Sequence, residues 1–233
     1  MFLYAHRGAS AEAPENTLAA FRRALEAGAD GVELDVHLSA DGVPVVIHDD
    51  TVERTTDGAG PVAFFAAESL RELDAGGWFA PEFAGEPLPT LEETLHLLAG
   101  KLRINIEVKE SRAGMAVVNL LRHLPTADVV VSSFDHDLLD DLRRTAPGLP
   151  LAVLFDEENW HRVLARAVSL RASAVHPRAD LVSRPLVAAC HRCQLPVHVW
   201  TVDAPARARS LARMGVDGLF TNDPATLRGQ LPG

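Results

Sequence analysis

The chain has 233 residues, 47% hydrophobic and 23% charged, with 22 Lys and Arg against 32 Asp and Glu for a formal charge of −10. That length suits one domain, 1–233, and an acidic surface disfavours nucleic acid and anionic membranes as partners. An anionic substrate would need a local cation. The N-terminus reaches His6 and Arg7 without a basic lead or long apolar core, and no run of about 18 apolar residues follows. The sequence therefore predicts a soluble, cytoplasmic protein with no stable membrane insertion. The two cysteines, Cys190 and Cys193, lack a second pair to complete a zinc site and are expected to be free thiols.

Strand and helix patterns alternate along the chain, as in a parallel sheet. Strands are expected at Phe2–Ala5, Gly31–Val36, Val43–Ile47, Arg103–Val108, Val129–Ser133, Leu151–Phe155, Ala174–His176, Val197–Val202 and Gly218–Thr221. Helices are expected at Thr17–Ala27, Leu91–Leu98, Ala113–Arg122, Leu138–Thr145, Asn159–Val168, Arg184–Cys190 and Ala204–Met214. Nine strands are one too many for an eight-stranded barrel. The turn Ser39-Ala40-Asp41-Gly42 is too short for a crossover helix, so Val43–Ile47 should fold back antiparallel on Gly31–Val36. That brings His48 opposite Glu33–Asp35. The stretch Thr51–Pro89, rich in glycine, proline and aromatics, departs from the repeat and reads as an insertion beside a functional site. The pattern alone is also compatible with an open doubly wound sheet.

Glu33 and Asp35 stand two apart on a strand and share a face, as do Asn105, Glu107 and Lys109 on another. Carboxylates inside strands covered on both faces need a reason, and crowded carboxylates repel unless a proton or metal lies between them. Glu33, Asp35 and Glu107, with no soft ligand nearby, suit one hard divalent cation, Mg²⁺ or Ca²⁺. His6 and His48 fall at strand ends beside them and can exchange protons near neutral pH. Of the other histidines, His176 and His198 lie at strand positions and could line the pocket; packing is the plainer role.

These residues fall in ordered motifs. His6-Arg7-Gly8, Pro14-Glu15-Asn16-Thr17, Glu33-Leu34-Asp35-Val36 and Pro44-Val45-Val46-Ile47-His48-Asp49 resemble the opening motifs of the glycerophosphodiester phosphodiesterases. Gly77-Trp78-Phe79, Pro89-Thr90-Leu91-Glu92-Glu93, Ile106-Glu107-Val108-Lys109, Val199-Trp200-Thr201-Val202 and Thr221-Asn222-Asp223-Pro224 continue the resemblance along the chain. Asp203 is a departure, since the family more often has Asn there, and it is expected to touch substrate contacts at most, not the catalytic core. The resemblance implies a TIM (β/α)8 barrel with the hairpin extension and an insertion at about 51–89 that helps cover the substrate. It implies metal-dependent hydrolysis of a small-molecule glycerophosphodiester, with Glu33, Asp35 and Glu107 as metal ligands and His6 and His48 as the acid–base pair. Arg7 and Lys109 would bind the phosphate, and Trp200 would pack against the glycerol. Trp78, Phe79 and Asn222 are further pocket candidates. Asn16 is expected to cap the helix beginning at Thr17. Two rival readings are a lysophospholipase D-type enzyme, using an apolar rim of Phe64, Phe65, Trp78, Phe79 and Phe83, and a non-enzymatic ligand-binding barrel.

Overall fold

The computed structural model describes residues 1–124 and 128–230. Its strands are β1 (Phe2–His6), β2 (Gly31–Leu38), β3 (Pro44–Val46), β4 (Arg103–Val108), β5 (Val129–Ser133), β6 (Leu151–Phe155), β7 (Ala174–Pro177), β8 (His198–Val199) and β9 (Gly218–Thr221). Helices α1 (Leu18–Glu26), α2 (Ala67–Arg71), α3 (Leu91–Leu98), α4 (Ser111–His123), α5 (His136–Thr145), α6 (Trp160–Ser169), α7 (Arg184–Arg192), α8 (Pro205–Met214) and α9 (Pro224–Gln230) lie between and after them. All nine expected strands are present, although β8 is only two residues long. The short helices α2 and α9 were not expected from the sequence.

Eight strands form a parallel barrel in the order β7-β6-β5-β4-β2-β1-β9-β8, and bridges Val175–Val197 and Arg178–Trp200 close it between β7 and β8. This excludes the open sheet. As the missing crossover required, β3 leaves the barrel and pairs antiparallel with β2, Val36 opposite Val46. Side chains alternate between the apolar layer under the helices and the barrel interior. Leu3, Ala5, Val32, Leu34, Ile104, Ile106 and Val131 join the core shared with the helices. The intervening positions point inward, which is why the strands carry polar residues without losing their outer packing. At the amino-terminal end the interior is plugged by rings: Tyr4 stacks on Phe220 at 4.7 Å, and His176 on His198 at 5.3 Å. These two histidines therefore line the opposite end of the barrel from His6 and His48, beside Tyr4 and Arg103.

Residues 51–89 build a satellite core on the hairpin, where Val52, Val62, Leu70 and Leu88 close over Val45 and Ile47. The helix that follows is fixed by a reciprocal cap: the Thr90 hydroxyl accepts from Glu93 N while Glu93 accepts from Thr90 N. The caps correct one expectation. Thr17, with φ −114° and ψ 161°, caps α1 by accepting from Ala20 N. Asn16 has φ 57° and cannot adopt the extended cap geometry; its buried side chain turns to Asp35 instead.

The turn after β1 rests directly on α1. Gly8 has φ +82°, and a Cβ there would meet the Ala20 Cβ at 2.6 Å and its carbonyl carbon at 2.7 Å. Gly28 has φ +68° with nothing within 4 Å of such a Cβ. Both substitutions by Ala strain the backbone, but only Gly8→Ala adds a collision. Gly8→Ala is expected to cost roughly 2 kcal/mol more than Gly28→Ala, about 4–8 °C in Tm by thermal melt. Equal melting losses would contradict the contact with α1.

Candidate active site

Strand register assembles the site. His6 pairs with Glu33 across β1 and β2, while Asp35 pairs with Glu107 across β2 and β4. Ile47 N donates to Asp35 O at 3.0 Å, so His48 arrives one residue later at the same barrel end. His6, Arg7, Glu33, His48, Asn105, Glu107 and Lys109 line a cavity of about 190 Å³ at the carboxyl ends of the strands. Phe134, Leu154, Trp200 and Phe220 complete its lining, so the cavity joins charged and apolar side chains. Trp200 is held by its indole N–H donating to His176 O at 2.8 Å and by an edge-on contact with Phe134. Phe134 and Leu154 were missed by the sequence reading, because apolar residues at strand ends look like ordinary core.

Oxygens of Glu33, Asp35 and Glu107 lie within 4.8 Å of one another, and all three residues are buried. Among the described residues, no other three His, Cys, Asp or Glu side chains come together this closely. Burial, then the charges of Asp35 and Glu107, push Glu33 well above the usual carboxylate range. Burial and Asp35 raise Glu107 to about 7, against the pull of Lys109. Burial opposes ionisation of Asp35 too, but Lys109, Arg7 and the Asn16 amide outweigh it and bring Asp35 down to about 2. Glu33 Oε1 is buried without a hydrogen-bond partner. A buried carboxylate oxygen left open among two other carboxylates is what a hard cation would satisfy, so the donor set fits one divalent ion.

Two cations frame this cluster. Lys109 Nζ lies 2.6 Å from Glu107 Oε1 and 3.4 Å from Asp35 Oδ1. Arg7 has φ 57°, a turn that lets its N–H donate to Glu33 Oε2 at 2.9 Å while its side chain reaches Glu15 at 2.8 Å and Asp35 at 3.3 Å. Asn16 donates to Asp35 Oδ2 at 2.9 Å and accepts from Asp35 N at 3.3 Å. Its role is to hold a cluster carboxylate, something its spacing beside a helix start concealed.

The two histidines have unlike supports. His6 Nδ1 faces Asn222 Oδ1 at 2.8 Å; burial, reinforced by the Arg7 charge, lowers the ring's pKa to about 4. His48 Nδ1 faces the Asp49 carboxylate at 2.6 Å. Arg54 grips Asp49 through Nε at 2.6 Å and Glu15 through its terminal nitrogens at 2.8 and 2.9 Å. An unbroken line of charged contacts thus runs Arg7–Glu15–Arg54–Asp49 and ends on the His48 ring. The sequence reading named neither Glu15 nor Arg54 as a functional residue, since 39 positions separate them.

Of the further pocket candidates, Asn222 adjoins the cavity through His6. Trp78 and Phe79 do not line it: the Trp78 indole donates to Ala75 O, and its ring packs edge-on against Phe79 in the insertion. Phe64, Phe65 and Phe83 do not line it either. Cys190 is buried, Cys193 exposed, and both are free.

Residues 6–226 match the glycerophosphoryl diester phosphodiesterase family. The chain is an enzyme of that family. A glycerophosphodiester phosphodiesterase of Caldanaerobacter subterraneus subsp. tengcongensis is 41% identical over 96% of this chain and 94% of its own. Among solved structures, a glycerophosphodiester phosphodiesterase from Agrobacterium tumefaciens superposes with a TM-score of 0.89 at 34% identity, covering 98% of this chain and 99% of that one. An Oleispira antarctica phosphodiesterase, in complex with the product sn-glycerol-3-phosphate, superposes with a TM-score of 0.92 at 29% identity, covering 99% and 96%. Glycerophosphodiester phosphodiesterases thus share the (β/α)8 barrel described above. No helix among the described residues is long and apolar enough to cross a membrane.

Proposed function

We propose that this enzyme hydrolyses glycerophosphodiesters to sn-glycerol 3-phosphate and an alcohol, with His6 as general base and His48 as general acid. The observation that carries the reading is the convergence of Glu33, Glu107, two cations and two separately supported histidines on one cavity, with the buried Asp35 carboxylate packed against Glu33 and Glu107. A phosphodiester is anionic and resists nucleophiles until charge on its non-bridging oxygens is neutralised. One bound divalent cation, Mg²⁺ or Ca²⁺, held by Glu33, Asp35 and Glu107, would supply Lewis-acid neutralisation of that charge.

Arg7 and Lys109 have their charged ends at the cluster and would grip the remaining phosphate oxygens. Arg7 offers a planar two-point clamp, Lys109 a point charge. His6, supported by a neutral amide, is suited to accept the proton of the attacking hydroxyl at Nε2. His48, whose Nδ1 is held by the Asp49 carboxylate, would give a proton to the departing alcohol. Trp200, with Phe134 and Leu154 beside it, would pack against the glycerol carbons and keep water from that side. A cytoplasmic location would accord with a small soluble substrate.

None of the five aromatics of the lysophospholipid reading lines the cavity, but Phe64 and Trp78 are exposed as an apolar rim requires, so the two readings are separated by substrate. A panel of glycerophosphodiesters and lysophospholipids, assayed by released sn-glycerol 3-phosphate and by released headgroup, checks this. The expected result is a kcat/KM at least about 10-fold higher for the deacylated diesters, the scale on which a pocket distinguishes substrates by a few contacts. Preference for the lysophospholipids would transfer the assignment to a lipid-cleaving enzyme.

A further inference from the structure

Asp203 does not line the catalytic cavity, yet both of its oxygens are committed toward it. Oδ1 accepts from the Thr221 hydroxyl at 2.9 Å and from Asn222 N at 2.8 Å. Oδ2 accepts from Asn222 Nδ2 at 2.8 Å. A carboxylate only accepts, so the Asn222 amide must turn its NH₂ toward Asp203 and its oxygen the other way. On that other side Asn222 Oδ1 meets the Ser10 hydroxyl at 2.9 Å and His6 Nδ1 at 2.8 Å. An amide oxygen also only accepts, so Nδ1 of His6 carries the hydrogen. The lone pair of the neutral ring is then on Nε2, the nitrogen 3.9 Å from Glu33 Oε2 at the carboxylate cluster.

We infer that Asp203 is a positioning residue that sets the tautomer of His6 by fixing the orientation of the Asn222 amide. This rests on the reading of His6 as the general base. Ser10 cannot do the same work, because a hydroxyl accepts as readily as it donates and would tolerate either amide orientation. Without the carboxylate, Asn222 is free to present its NH₂ to His6. Nδ1 must then accept, Nε2 carries the hydrogen, and the base cannot take a proton from the nucleophile. The cost falls on turnover, since the ring and the substrate contacts remain in place.

The test is nitrogen NMR on the full chain labelled with ¹⁵N-histidine, the His6 signals being assigned by their loss in His6→Gln. Wild type should show His6 hydrogen on Nδ1. Asp203→Ala should show a population with hydrogen on Nε2, together with a fall in kcat of about 10-fold or more and KM within about 3-fold, as for loss of general-base function. Asp203→Asn keeps the shape and one accepting oxygen, so it should retain the fold by thermal melt and lie between the two in both readouts. His6 hydrogen remaining wholly on Nδ1 in both variants would overturn the inference, whatever their activity. The acid–base reading has its own arm: unchanged turnover of His6→Gln would remove it, while the tautomer signatures of the Asp203 variants would still report on the relay.

Discussion

Glu33→Gln, Asp35→Asn and Glu107→Gln are each expected to lose most of the activity, at least about 100-fold, while the wild type loses it in chelator and regains it with a hard divalent ion. The amide variants keep the shape of each side chain and one accepting oxygen, so the Arg7 N–H can still be met at Glu33. What they remove is negative charge from a buried cluster whose oxygens lie within 4.8 Å of one another. In chelated protein burial and the neighbouring charges already disfavour ionisation of Glu33 and Glu107, so a neutral amide in either place should melt no lower than wild type. Loss of turnover without loss of Tm separates a metal-holding role from a structural one. Binding is read independently: Mg²⁺ or Ca²⁺ should raise the wild-type Tm by mass action and leave the Glu33→Gln protein less affected. Full turnover in chelator would sink the metal assignment.

His6→Ala and His48→Ala should each reduce turnover of a natural diester at least ~100-fold with substrate binding largely intact. They part company when the leaving group changes. A nitrophenyl ester departs as a stable anion and needs no proton, so it should rescue His48→Ala far more than His6→Ala. The supports of the two rings give the direction. His48 has a charged support, a carboxylate braced by Arg54; His6 sits against a neutral amide that leaves Nε2 open to receive a proton. The opposite rescue pattern would exchange their roles. Wild-type activity of both variants on the natural diester would remove the pair from the mechanism.

Much of this site is legible in the chain because strand periodicity is rigid. Glu33 and Asp35, or Asn105 and Glu107, must share a face whatever else the fold does, and carboxylates on the inner face of a covered strand demand an explanation. The hairpin was equally determined: four turn residues cannot hold a crossover, so β3 had to return along β2 and deliver His48 to Asp35.

The supporting residues were not legible in that way. Asn16 precedes a helix and looks like a cap; only the left-handed backbone at 57° and the approach of Asp35 turn its amide into the site. Glu15 and Arg54 meet across the gap between the first βα loop and the insertion, and Asp203 reaches His6 through a residue at the end of β9. Trp78 and Phe79 share the aromatic character of pocket residues, yet they pack on each other and on Phe83 within the insertion and do not line the cavity.

The sequence by itself determined the alternation of strands and helices, the faces on which the carboxylates lie and the fold-back of β3, since these follow from local periodicity and turn length. Closure of the sheet, the register that sets Asp35 beside Glu107, and the orientation of each histidine were decided only by the tertiary structure. Those depend on contacts between residues tens to hundreds of positions apart, and on hydrogen bonds whose direction is fixed by partners that no local pattern reveals.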